Sequence, residues 1–270
     1  MERPVSSFAP ESFDRSAAVY DEHVPFNRAG ARRLVASVPD SAYPRLLDVA
    51  CGTGFATLAA IERLGVERVI GVDASAPMLD VFRERLAAHP RVSADLRACD
   101  VLEARVEDGS VDLALCAMAL HWFPERAAAV ALMARALAPG GVLGILAPGP
   151  RHDRETVELI RGAGDPQLGR LADSIVSNEV DPGVLTGYLQ AAGLEPVDVW
   201  TETRRRVVPP AAYVARLEAV ATHLWADLAP DQQADVLTRL RALLDAATGA
   251  DGMHRYRFVK TFAIARAPGG

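Results

Sequence analysis

Lysine is almost missing from this chain: of 29 basic residues only Lys260 is a lysine. With the abundant alanine, that skew reads as the codon bias of a GC-rich genome rather than as a functional signal. Cysteine is scarce and scattered. Cys51, Cys99 and Cys116 form no C-x-x-C pair, which argues against a disulfide framework or a cysteine zinc site. Free thiols fit a reducing cytoplasm. No apolar run approaches the length of about 18 residues that a bilayer crossing needs, and the opening MERPVSSFAPESFDRS offers no apolar stretch for a secretory signal. Excess positive charge is absent as well. A formal net charge of -6 argues against nucleic acid as the main partner. No H-x-x-x-H or carboxylate cluster suggests a metal site. The expectation is a cytoplasmic monomer or homodimer with neither a membrane nor a nucleic-acid partner.

Half of the 270 residues are apolar, enough for one sizeable core. Strand-like apolar runs occur at Arg45–Ala50, Arg68–Val72, Val92–Cys99, Val111–Cys116 and Val142–Leu146. Helical patterns alternate with them over Phe55–Leu64, from Ala76 to about His89, and over Pro124–Leu137. Such alternation implies parallel β-α-β units. Ser75 is placed to cap the second of these helices, with Pro77 in its first turn. Residues 149–180 read as an irregular segment with short helices. Asp181-Pro182 starts a helix that ends before Gly193, Glu195–Val208 reads as a charged edge strand, and two amphipathic helices precede a last strand at Arg255–Ala265.

The chemistry concentrates after the first strand. In LLDVACGTGF a strand ends, a G-x-G turn follows and a helix begins. Glycines there let backbone approach a ligand, and the helix start offers free N–H donors. Alone, the turn could equally be ligand-free. Asp73 closes the second strand 21 residues after Gly52, where an acidic side chain can accept from both hydroxyls of a ribose. Asp100 closes the third strand, where a carboxylate can accept from an adenine amino group. A nicotinamide fingerprint would carry a third glycine where Thr57 stands, which disfavours a dehydrogenase.

The series LLDVACGTGF, VIGVDASAPML, ACDVLEA, VDLALCAMALHWF and LAPGGVLGIL resembles the class I S-adenosylmethionine-dependent methyltransferases, in order and spacing, from about residue 45 to 147. Bacterial small-molecule enzymes such as the trans-aconitate, malonyl and quinone methyltransferases are the most similar groups. The resemblance implies a Rossmann-like, doubly wound seven-stranded α/β sheet with its last strand antiparallel. It implies an N-terminal arm (1–44), a cofactor core (45–147), later sheet parts (148–208 and 253–270) and a helical lid (209–252). It implies S-adenosylmethionine as cofactor, S-adenosylhomocysteine as product, and O- or C-methylation of a small molecule in biosynthetic or secondary metabolism. A non-catalytic cofactor-binding module is the rival.

On that resemblance Asp48 would orient the methionine end, and Ala50, Gly52 and Gly54 would form the turn beside it. Asp73, with Ala74 and Ser75, would hold the ribose. Met78 would pack on the adenine, Asp100 and Val101 would meet its edge, Ala117 would present backbone near the methionyl amine, and Tyr20 would close from the arm. His121 is the candidate base, with His23 as a weaker one and His152 comparable to it. Phe26, Trp122, Arg151, Tyr213 and Trp225 are candidate acceptor-pocket residues. His89 and His254 read as surface, and His223 as either pocket or surface.

Overall fold

Apolar runs too continuous for a half-exposed sheet become strands covered on both faces. The computed structural model describes residues 11–14, 16–220 and 228–269. Strands β1 (Arg45–Val49), β2 (Arg68–Asp73), β3 (Ser93–Ala98), β4 (Val111–Ala117) and β5 (Leu137–Pro148) run parallel. β6 (Glu195–Val208) and β7 (His254–Arg266) complete a seven-stranded sheet of order β3-β2-β1-β4-β5-β7-β6. β7 is antiparallel to both neighbours. β6 lies at the edge, which suits its alternating exposure and its outward charges.

The helices are α1 (Glu11–Asp14), α2 (Tyr20–His23), α3 (Pro25–Ser37), α4 (Phe55–Leu64), α5 (Ala76–Leu86), α6 (Arg126–Ala136), α7 (Arg154–Ala163), α8 (Pro166–Ser177), α9 (Pro182–Ala191), α10 (Pro210–Val220) and α11 (Pro230–Ala247). The strand pleat sends successive side chains to opposite faces. Leu46, Leu113 and Ile264 therefore meet Leu34 of α3, Ala60 of α4 and Phe82 of α5. Leu47, Ala114 and Ala263 meet Met133 of α6 and Leu185 of α9 on the other face. α7, α8, α10 and α11 share a third cluster with Tyr256 and Phe258 at the start of β7.

The sequence-based boundaries differ in two places. Residues 149–180 hold two regular helices, not an irregular segment. Asp165 caps α8 by accepting from the backbone N–H groups of Gln167 and Leu168, and Leu168, Leu171 and Ala172 bury one face. β5 begins at Leu137 instead of Val142: the Pro139-Gly140-Gly141 stretch stays in the strand, with Gly140 at φ +75° and a register shift against β4.

Phe262 is 1% exposed and its ring stacks on Trp200 at 5.0 Å. Phe262→Ala is expected to destabilise the fold by about 3–5 kcal/mol in urea unfolding. A loss below about 1 kcal/mol would contradict this packing.

Candidate functional site

A cavity opens at the carboxyl ends of the parallel strands, beside the point where strand order reverses between β1 and β4. Four strand ends build it. The turn after β1 brings Asp48, Ala50, Gly52 and Thr53, and the turn after β2 brings Asp73, Ala74 and Ser75. Asp100 and Val101 follow β3, and Ala117 and Met118 end β4. Gly54 lies in the same turn, and Met78 comes from the first turn of α5.

The β1 turn depends on left-handed backbone: Ala50 has φ +52°, Gly52 +52° and Gly54 +85°. At Gly54 a Cβ would also sit 2.2 Å from a ring carbon of Phe82, so glycine is required there twice over. Asp73 fastens this turn to the next one. Its Oδ2 accepts from Gly52 N–H at 2.7 Å and its Oδ1 from Ser75 N–H at 2.9 Å. Burial nonetheless pushes its carboxyl above the usual range. The helix-capping role falls to the Ser75 hydroxyl, which accepts from Met78 N–H at 3.4 Å.

Asp48 is 1% exposed. Its Oδ2 accepts from the Thr57 hydroxyl at 2.6 Å, while its Oδ1 is buried without a partner. Burial raises its pKa to about 7. Asp100 accepts from Leu102 N–H at 2.8 Å, and a short 3-10 turn, Val101–Glu103, follows it. Burial also pushes the Cys51 and Cys116 thiols upward, so neither is a ready nucleophile.

The N-terminal helices form the opposite wall. Tyr20 and Asn27 line the cavity, and Asn27 donates its side-chain N–H to the Tyr20 hydroxyl at 3.4 Å. The Thr53 hydroxyl donates to Asp21 at 2.8 Å, Arg85 pairs with the same carboxylate, and Arg85 also donates to Thr53 O at 2.8 Å. The Ser75 hydroxyl donates to Asp14 at 2.5 Å. Both turns are thereby tied to the arm.

A second cavity adjoins the first and shares Phe13, Tyr20, Asn27, Met118 and Trp122 with it. Its own wall includes Phe26, His121, His152, Asn178, Arg216 and Phe258.

Comparison with known proteins gives this geometry its meaning. Residues 46–141 match the family described as a methyltransferase domain. A trans-aconitate 2-methyltransferase from Azoarcus sp. is 30% identical over 240 residues, covering 87% of this chain and 92% of that protein. The chain belongs to the S-adenosylmethionine-dependent methyltransferases. A nocamycin O-methyltransferase from Saccharothrix syringae is 28% identical over 96% of this chain and 99% of its own length. A crystal structure of a methyltransferase homologue from Bacillus halodurans shares the fold, with a TM-score of 0.61 and 17% identity, covering 89% of this chain and 99% of that one. S-adenosylmethionine is the cofactor. The residues present suit it: an unpartnered buried carboxylate oxygen on Asp48 awaits a cationic or hydrogen-bonding group, and the glycine turn leaves room for close approach.

Several acceptor-side expectations for this methyltransferase need correction. Tyr213 is 1% exposed and lines neither cavity, because its hydroxyl is drawn to Asp153. Arg151 is exposed on a left-handed turn and lines neither cavity. His23 also lines neither. His254 is buried, not on the surface, and its Nε2 lies 2.8 Å from the Thr156 hydroxyl. Trp225 and His223 fall outside the described residues. Phe26, Trp122 and His121 do line the second cavity. Sequence reasoning missed Asn27, Arg216 and the pairing of Thr57 with Asp48. Among the described residues no cluster could hold a metal ion, and no helix is long and apolar enough to cross a membrane.

Asp48 carries a pH signature. Its pKa of about 7 lies above the unfolded carboxylate value near 4, so the folded protein binds the extra proton between them. Its contribution to stability therefore falls as pH rises from about 4 to about 7. Without cofactor, wild type is expected to lose more unfolding free energy than Asp48→Asn between pH 5 and pH 8. Parallel pH profiles for the two proteins would contradict the raised pKa.

Proposed function

We propose that this methyltransferase methylates an oxygen of a small organic acid seated in the second cavity. The observation that carries the reading is the shared wall. Tyr20, Asn27, Met118 and Trp122 border both cavities, so an acceptor in one can meet a methyl group presented from the other. The relative named for trans-aconitate supports an organic acid, and the one named for nocamycin O-methylation supports an oxygen acceptor. The bound cofactor supplies a methyl group already activated on a sulfonium.

We assign Asp48 to the methionyl ammonium, the turn at Ala50, Gly52 and Gly54 to the backbone beside it, and Asp73 to the ribose hydroxyls. Met78 and Val101 would flank the adenine, with Asp100 at its amino group. Ala74 and Ser75 would line the ribose, and Ala117 the methionyl end. Tyr20 would cover the sulfonium side. These residues bind and orient. Holding the acceptor oxygen in line with the methyl carbon and keeping water out supplies the rate, as such alignment contributes about 7–11 kcal/mol in favourable intramolecular models.

An acceptor carboxylate needs no base, whereas a hydroxyl must lose its proton. Two imidazoles border the acceptor cavity. His152 lies with Nδ1 3.0 Å from Val259 O and 3.3 Å from Val259 N, so this nitrogen can donate to the carbonyl or accept from the amide according to its tautomer. Burial lowers its pKa and keeps it neutral. His121 is 3% exposed, its ring 4.5 Å from that of Trp122. For a hydroxyl acceptor, His121 and His152 are the candidate bases.

S-adenosylhomocysteine is expected to raise the melting temperature, with about 2.7 kcal/mol of stabilisation at a hundred times Kd, whereas NAD should leave it unchanged. Asp73→Ala should weaken S-adenosylhomocysteine at least tenfold by titration calorimetry. An unchanged affinity in that variant would remove Asp73 from the ribose. No methyl transfer to any of a panel of organic acids, phenols and amines would favour the non-catalytic module.

A further inference from the structure

The second cavity has a cationic wall residue that the first cavity does not share. Arg216 projects from α10 into its wall, and that side chain is only 12% exposed. Its Nε and Nη2 are buried and meet no hydrogen-bond partner. A buried guanidinium with unmet donors is costly and calls for an anion.

Among the described residues, Tyr213 and Asp153 meet that need only in part. Asp153 is the nearest carboxylate, its Oδ2 3.6 Å from Arg216 Nη2, beyond hydrogen-bond reach. The same carboxylate accepts from the Tyr213 hydroxyl and, at 2.6 Å, from the Thr156 hydroxyl. Asp153 thus holds the arginine in place without saturating it. Three rings complete a cage, with the guanidinium carbon 4.8 Å from the Tyr213 ring centre, 5.5 Å from Tyr256 and 5.8 Å from Phe26. Arg206 lies 5.4 Å from that same Phe26 ring and adds positive potential beside it. Much of the remaining wall is apolar, including Val24, Phe26, Ile175, Leu217 and Phe258.

Position matters as much as charge. Arg216 borders only the second cavity, not the part shared with the cofactor chamber. We propose that Arg216 anchors a carboxylate or similar planar anion of the acceptor that is not the atom being methylated, leaving an apolar body to fill the cavity and a separate oxygen to reach the shared wall. Arginine suits this because its planar fork can give two parallel hydrogen bonds to one carboxylate. The inference rests on the methyltransferase reading, since it presumes that the second cavity holds the acceptor.

The test uses the full-length protein saturated with S-adenosylhomocysteine. Phenylacetate and cinnamate would be titrated against phenylacetamide and cinnamamide, pairs that match in shape and differ in charge. The acids should bind at least tenfold more tightly than their amides to wild type. Arg216→Gln should abolish that preference with S-adenosylhomocysteine affinity unchanged, and Arg216→Lys, which keeps the charge but not the fork, should retain only part of it. Equal binding of acid and amide to wild type, no binding of either acid, or a preference that survives in Arg216→Gln would each overturn the proposal. The wild-type comparison stands even where a variant fails to fold. Failure of S-adenosylhomocysteine to bind wild type would instead defeat the cofactor reading beneath it.

Discussion

The Asp73 carboxylate accepts backbone N–H groups from two different turns, Gly52 after β1 and Ser75 after β2. The turn after β1 carries three left-handed residues in five positions, Ala50, Gly52 and Gly54. Joined through this half-buried carboxylate, the two turns become a single rim. The rest of the first cavity is placed relative to that rim. Asp48 stands at one side with a free oxygen, Asp100 at the other, and α5 starts from Ser75 so that Met78 closes the floor.

Polar ties then bring the N-terminal helices over this rim. Asp21 meets Thr53 and Arg85, and Asp14 meets Ser75. At the far end the sole lysine does similar work: Lys260 Nζ donates to Phe26 O at 2.6 Å, joining the start of α3 to β7. At Gly30 a Cβ would lie 2.3 Å from this Nζ and 2.9 Å from a Leu146 methyl carbon, so a side chain there would displace the lysine. These ties fix Tyr20 and Asn27 where the two cavities meet and Phe26 in the wall of the second. The two cavities thus share one wall, and the wall belongs to the arm as much as to the sheet.

What the sequence made legible follows from how local each signal is. The five parallel strands were readable because buried runs such as Leu46-Leu47 and Leu113–Cys116 need no partner to be recognised. The chamber residues were readable because each sits at a strand end, within a few residues of a glycine turn or a cap. Asp181-Pro182 was read as a helix start, and Asp165-Pro166 carries the same signal for α8, yet mixed polar surroundings hid it. The acceptor side was harder for a physical reason. Arg216 acquires its setting from Asp153, Tyr256 and Phe26, and Lys260 acts across 234 residues of chain. Tyr213 has the composition of a pocket residue, but a buried hydroxyl must find a partner, and Asp153 turned it away from the cavity.

The central claim is geometrical: one nucleoside lies against the rim that Asp73 holds together, with its amino-acid tail toward Asp48. A crystal structure of the protein with S-adenosylhomocysteine tests it most directly. The account predicts both ribose hydroxyls within hydrogen-bond distance of the Asp73 carboxylate and the ligand's ammonium beside the oxygen that Asp48 leaves unpaired. A nucleoside seated elsewhere, or Asp73 turned from the ribose with its two backbone bonds intact, would contradict it.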